Sequence, residues 1–325
     1  MTSYVVVGGA GFIGSHVVAR LLEEGDDGTR VRVIDNLSSG SRDRLAPVDE
    51  DPRLEFLQLD VKDFDKLTEA VRGADHLFHF AANPDIAAAV TRPDIDFWAG
   101  TFLMNNVLEA MRLGNVPSLT YASGSGVYGE VGDRKVQEDH APMHPISTYG
   151  ASKLAGEALA AAYCHMFDLA AVAFRFANVV GPRQTHGVTF DFVRKLLEDP
   201  TRLEILGDGT QTKSYIHVDD VVDAMLLMER PGPPGFRVFN VATEDEVSVT
   251  EIADLVVEAL GVTGAEYVYT GGDRGWRGDV PLIRFDSSRI RELGWRNRFT
   301  STEALQDAIR ASIAEARGAK NAAEF

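Results

Sequence analysis

The sequence predicts an α/β protein, a doubly wound parallel sheet with a smaller α/β cap domain. Three observations lead there. Short apolar runs alternate with stretches of helical spacing through the first 180 residues. The runs are apolar at successive positions, so as strands they would be covered on both faces, as parallel strands are. The first run passes through a glycine-rich turn straight into the first helical stretch.

In order, strands are expected at Tyr4–Val7, Val31–Ile34, Leu54–Leu57, His76–Phe80, Leu119–Ala122 and Ala171–Phe174, mostly β-branched, aromatic or otherwise apolar. Helices are expected at Ser15–Glu24, Phe64–Val71, Phe102–Leu113 and Tyr149–Met166, where apolar residues recur three and four apart. After Gly181 the texture changes. Helical spacing at Phe190–Glu198, Asp219–Glu229, Val249–Leu260 and Thr302–Ala316 is broken by short strands and glycine-rich loops such as Gly207-Asp208-Gly209. Two domains follow, 1–180 and a substrate-binding cap over 181–325, with segments of the second free to return to the first. Ligand is expected in the cleft between them, at the carboxyl ends of the strands.

The chain has 325 residues, 45% of them hydrophobic and 25% charged, an ordinary globular composition. Asp and Glu number 49 against 32 Lys and Arg, a formal charge of −17. Such a balance argues against nucleic-acid binding or a polybasic membrane face, and leaves any phosphate ligand to local basic clusters. One cysteine, Cys164, allows no internal disulfide, and the histidines lack ligand spacing, so no metal is expected. Cys164 reads as a core residue. No apolar run is long enough to cross a membrane. Met1-Thr2-Ser3 leads directly into the first strand without a basic region, so a cytoplasmic protein is expected.

Gly8-Gly9-Ala10-Gly11-Phe12-Ile13-Gly14 joins the first strand to the first helix. Gly8 permits the turn, Gly11 lets backbone approach a pyrophosphate, and Gly14 lets helix and strand pack closely. The helix N-terminus adds free N–H groups and partial positive charge. Asp35 ends the second strand about 20 residues further on, where a carboxylate accepts from an adenosine ribose and repels a 2′-phosphate. NAD is therefore expected over NADP, with Arg42 and Arg44 the only features pointing the other way. Tyr149 and Lys153 stand four apart on one helical face. A phenol is a poor base near neutrality, and a neighbouring ammonium together with a cationic nicotinamide would lower its pKa into a useful range. Ser147 and Thr148 read as the helix cap, Asp219 and Asp220 as another, and His79 and His217 as satisfied core histidines.

These features, with Asp35-Asn36-Leu37-Ser38-Ser39-Gly40, Asp60-Val61, His79-Phe80-Ala81-Ala82, Val127-Tyr128-Gly129, the run Asn178 to Arg183 and the run Tyr215 to Asp220, carry a resemblance. The chain resembles the extended short-chain dehydrogenase/reductases of Rossmann type, and among them the NAD-dependent nucleotide-sugar epimerases similar to UDP-glucose 4-epimerase. The resemblance runs almost end to end. It implies that Tyr149 takes the proton from the sugar 4-hydroxyl while hydride passes from carbon 4 to tightly held NAD, and that hydride then returns to the opposite face. It implies cofactor contacts from Gly8, Gly11, Phe12, Ile13, Gly14, Asp35, Asn36, Ser38, Gly40, Asp60, Val61, Phe80, Ala81, Ala82, Tyr149 and Lys153. It sets Asn178 and Lys213 toward the phosphates of a nucleotide sugar, and it implies a homodimer. Leu103, Val107, Leu159 and Tyr163 are the apolar residues expected on the pairing face.

Three positions depart from the family pattern. Gly124 stands where a Ser or Thr usually assists the catalytic Tyr, so Ser123, Ser125 or a water must substitute. Gly100 stands where Asn is common. Trp276 takes the place of a phosphate-binding Arg, leaving Arg274 and Arg277 as substitutes. Ser125 and Gly126 also lack the acid and carboxylate that the related 4,6-dehydratases need. The expected activity is a nucleotide-sugar 4-epimerase; the alternative is an NAD-dependent nucleotide-sugar dehydrogenase or 4-keto reductase.

Overall fold

A computed structural model describes residues 2–229 and 232–323. Among them seven strands form one parallel sheet: β1 (Thr2–Val7), β2 (Thr29–Asp35), β3 (Leu54–Gln58), β4 (His76–His79), β5 (Ser118–Gly124), β6 (Ala170–Phe176) and β7 (Gly235–Val241). Their spatial order is β7-β6-β5-β4-β1-β2-β3, every pairing parallel. The chain starts in the middle, winds to one edge, and returns past β1 to build the other, so a crevice opens between β1 and β4.

The period-two alternation of the strands decides what each helix covers. Tyr4 and Val6 face one layer, with α1 (Phe12–Glu24); Val5 and Val7 face the other, with α2 (Phe64–Val71), α3 (Phe102–Gly114) and α4 (Thr148–Phe167). Both layers are closed, which is why these strands carry so few polar residues. Leu103 and Val107 lie inside the second layer, and Val107 is fully buried. They are therefore core residues and cannot belong to a pairing face.

Residues beyond Gly181 do two jobs. Val188–Glu198, Val249–Leu260 and Ser301–Ala323 are helices that enclose a separate core with Leu203, Ile205 and Tyr215. Strand β7 and the helix Val218–Leu226 instead return to the main sheet, the helix packing on α1. Asp219 and Asp220 do not cap that helix. The cap is His217, whose ring accepts from the Asp219 amide, while Asp220 accepts from the amides of Arg298 and Phe299.

Candidate active site

The turn after β1 fits the geometry its glycines imply. Gly8 has φ +79°, and a Cβ there would sit 2.7 Å from the Ala81 nitrogen. At Gly14 a Cβ would run into the Gly8 carbonyl oxygen. Helix α1 begins with no side-chain cap, so the N–H groups of Phe12, Ile13 and Gly14, in its first turn, lack helical partners.

Asp35, only 8% exposed, accepts from the Ala10 amide at 3.0 Å and the Leu37 amide at 2.8 Å, which fixes its carboxylate beside the turn. Gly40 leaves it room, since a Cβ there would lie 2.9 Å from Asp35 Oδ1. Asn36 donates to Asp60 at 3.1 Å, Ser38 donates its amide to Asn36, and the Val61 carbonyl accepts from Asn106. Phe80, Ala81 and Ala82 continue from β4 beneath the turn. Both nearby arginines have partners within the protein. Arg42 pairs with Asp49, and Arg44 donates to the carbonyls of Ala10 and Ser39. A cradle open to backbone, an unpaired helix N-terminus and a fixed ribose-type carboxylate fit a dinucleotide.

Across the crevice, Ser147 caps α4 by accepting from the Gly150 amide at 3.0 Å, while Thr148 bonds elsewhere. The Tyr149 hydroxyl makes no hydrogen bond with another described residue, so it is available. Lys153, 5% exposed, donates to the Ala122 carbonyl at 2.7 Å and lies 5.5 Å from the Tyr149 ring. Burial draws the Lys153 ammonium down to about 8. Burial, then the charge of Asp96, pushes the Tyr149 phenol up to about 12. The expected lowering of the phenol is thus absent from the protein alone; Lys153 by itself does not overcome desolvation.

The two serines separate. Ser123 is buried and gives its hydroxyl to Glu157 at 2.5 Å, and Glu157 is paired bidentately with buried Arg175. Ser123 is thereby committed to the core network and is not available to a sugar. Ser125 is half-buried with no hydrogen bond from its hydroxyl among the described residues. Gly124 is extended (φ −169°), and a Cβ there would meet nothing within 4 Å. Gly126 has a packing reason: a Cβ would lie 3.3 Å from Gly150 Cα, so this turn rests directly on the start of α4.

On the cap side, Asn178 lies beside Ser214, and Lys213 is held by Asp279 at 2.5 Å. Arg274 is paired with Glu130 and Asp273. Arg277 is exposed and uncommitted among the described residues. Trp276 is half-buried, its ring against Gly278, which in turn abuts Ile146 and Ser147 just ahead of Tyr149. His217 is satisfied by Asp219 and Asp307, but His79 is not. Its Nδ1 is buried without a partner while its ring stacks on Tyr121. Among the described residues no group of His, Cys, Asp and Glu could hold a metal ion.

Residues 4–242 match the model of the NAD dependent epimerase/dehydratase family. The chain belongs to that family. A UDP-glucose 4-epimerase of Mycolicibacterium smegmatis is 34% identical over 313 residues, covering 94% of this chain and 96% of the relative. The structure of a UDP-glucose 4-epimerase of Thermotoga maritima with UDP-glucose is 30% identical, with TM-score 0.86 over 97% of this chain and all of that one. A Thermus thermophilus UDP-glucose 4-epimerase solved with NAD is also 30% identical, with TM-score 0.83 over 96% and 99%. The protein is therefore an NAD-dependent enzyme of the epimerase class with the Rossmann-type α/β fold. No helix among the described residues is long and apolar enough to span a membrane.

Asp96 escaped the sequence reading, although Asp96, Thr148 and Ser152 lie around Tyr149. Asp96 lies in the polar run Thr91-Arg92-Pro93-Asp94-Ile95-Asp96 ahead of Phe97 and Trp98, where nothing in the sequence sets it apart from Asp94.

Proposed function

We propose that the protein is a 4-epimerase of UDP-hexoses, with Tyr149 as its acid/base. The observation that carries this is the unbonded Tyr149 hydroxyl, one helical turn from buried Lys153 and across the crevice from the dinucleotide cradle. The relatives named above as UDP-glucose 4-epimerases support the substrate class.

The Phe12, Ile13 and Gly14 amides would hold a pyrophosphate, Asp35 an adenosine ribose, Asp60 and Val61 the adenine edge, and Lys153 the nicotinamide ribose. Bound NAD would supply the oxidation and reduction at carbon 4 and would bring a positive charge to the site. As phenolate, Tyr149 would take the proton of the 4-hydroxyl, and the phenol so formed would later give it back. Ser125 is the hydroxyl left to steady the sugar oxygen, in the role for which Ser123 is committed elsewhere. Arg277 is ready for a diphosphate, and Lys213 can reach one by exchanging Asp279.

Incubation of the purified protein with UDP-glucose, UDP-N-acetylglucosamine and UDP-glucuronate, followed by NMR, tests this. Conversion of at least one at carbon 4 with no net NADH is expected. Net NADH formation would instead favour the dehydrogenase or reductase, and no conversion of any would reject the proposal.

The same reading makes the protein a homodimer joined through α3 and α4. Phe97 and Trp98, each about half exposed (50% and 49%), precede α3, and Leu113, Met166 and Phe167 are also exposed along this side. Light scattering at micromolar concentration checks it, and a monomer would reject it. The single buried cysteine suits a reducing cytoplasm, which we propose as the location.

A further inference from the structure

Asp96 is 1% exposed and stands immediately before a π-helical turn, Phe97–Thr101. Its carboxylate accepts from Asn83 Nδ2 at 2.9 Å and Thr148 Oγ1 at 2.7 Å, and its carbonyl accepts from Ser152 Oγ at 2.7 Å. Asn83 also ties down the segment after β4, donating to the Asp85 carbonyl and accepting from the Asp85 amide. One residue thus fastens three pieces: the segment under the dinucleotide cradle, the π turn, and the start of α4.

The two donors on α4 bracket Tyr149, one just before it and one three residues after. Bonds to both fix the rotation of the helix about its axis, and hence the direction of the phenol. A Cβ at position 100 would strike Ser152 Oγ, so glycine there leaves that hydroxyl free to bond the Asp96 carbonyl.

The charges around the phenol are few. Lys153 lies on the same helix, Asp96 comes from the π turn, and Tyr121 from β5; beyond them Glu157 and His79 face Lys153. Asp96 is the anion bearing on Tyr149 itself, and its influence is to hold the phenol protonated.

We propose that Asp96 is the positioning residue for Tyr149, aiming the phenol through Thr148 and Ser152. This rests on Tyr149 being the acid/base. The test compares holoenzyme of wild type, Asp96→Asn, Thr148→Val and Tyr149→Phe. Two readouts are followed: kcat/KM against pH, and tyrosinate absorbance against pH.

Asp96→Asn keeps the shape and can still bond Thr148, but removes the charge. Both its acid limb and the Tyr149 titration should move down by about one pH unit. Thr148→Val keeps the charge and loses one bond. Its kcat should fall about 10-fold with the acid limb unmoved. Unmoved titrations in Asp96→Asn, or full kcat in Thr148→Val, would overturn the proposal. Should Asp96→Asn not fold, the Thr148→Val result decides. Activity surviving in Tyr149→Phe would instead overturn the reading of Tyr149, a separate failure visible in its own arm.

Discussion

Replacing Lys153 with Met should stabilise the protein while removing its activity. Lys153 is held at about 8 in the folded chain against an ordinary 10.5, and burial is the main cause. That displacement corresponds to about 3 kcal/mol of differential cost for the charged form. The folded pKa is the lower one, so between about 8 and 10.5 the unfolded chain binds more protons and stability rises with pH. Below about 8 the cost is present in full. Met has a similar reach and no charge. It forfeits the bond to the Ala122 carbonyl, about 1 kcal/mol, and the contacts with the Tyr121 and Tyr149 rings, about 0.5–1 kcal/mol. At neutral pH the variant should therefore be more stable by about 1–2 kcal/mol. From there to about pH 10, the difference should swing by about 3 kcal/mol in favour of wild type. Urea denaturation of both proteins, freed of cofactor, at a series of pH values measures this directly. The raised phenols of Tyr121 and Tyr149 are common to both and largely cancel. A difference that does not change with pH would refute the reasoning, because it would mean that Lys153 is not buried in charged form.

Gly124→Ser should be tolerated within about 0.5 kcal/mol, since the backbone is extended and the space is open. By adding a hydroxyl beside Ser125 it should raise kcat several-fold; thermal melting and steady-state kinetics check both halves. Glu157→Gln leaves the Arg175 guanidinium buried without its bidentate partner and should cost about 3–5 kcal/mol in urea titrations. Asp35→Ala removes the acceptor of the Ala10 and Leu37 amides and should weaken NAD binding by at least about 10-fold in calorimetry, with UDP binding unchanged.

The legible parts of this protein are those decided by short-range geometry. The glycine turn demands a positive φ at Gly8 and close approach at Gly14, so its chemistry is written within seven residues. Tyr149 and Lys153 share a face because a helix brings every fourth residue round. The doubly wound parallel class follows from apolar runs alternating with helical stretches, though the edge strand Gly235–Val241 is not among the strands that pattern offers.

What stayed hidden depends on distant partners. Whether Ser123 or Ser125 faces a sugar is decided by Glu157 and Arg175, which claim Ser123 from another helix and another strand. Lys213 meets Asp279 across 66 residues of chain, so its engagement could not be read from its neighbours. Leu103 and Val107 look like any apolar helix positions until α2 is seen packed over them. Asp96 had no motif at all; only the fold brings Thr148 and Ser152 to it.

The central claim is that Tyr149 and bound NAD oxidise and re-reduce carbon 4 of a UDP-hexose within one closed site. UDP-glucose carrying deuterium at carbon 4 tests it most directly, with the products followed by NMR and mass spectrometry. The mechanism predicts UDP-galactose that retains its deuterium at carbon 4, no net NADH, and no turnover by Tyr149→Phe. Deuterium lost to solvent, NADH accumulating with substrate, or turnover surviving in Tyr149→Phe would contradict it.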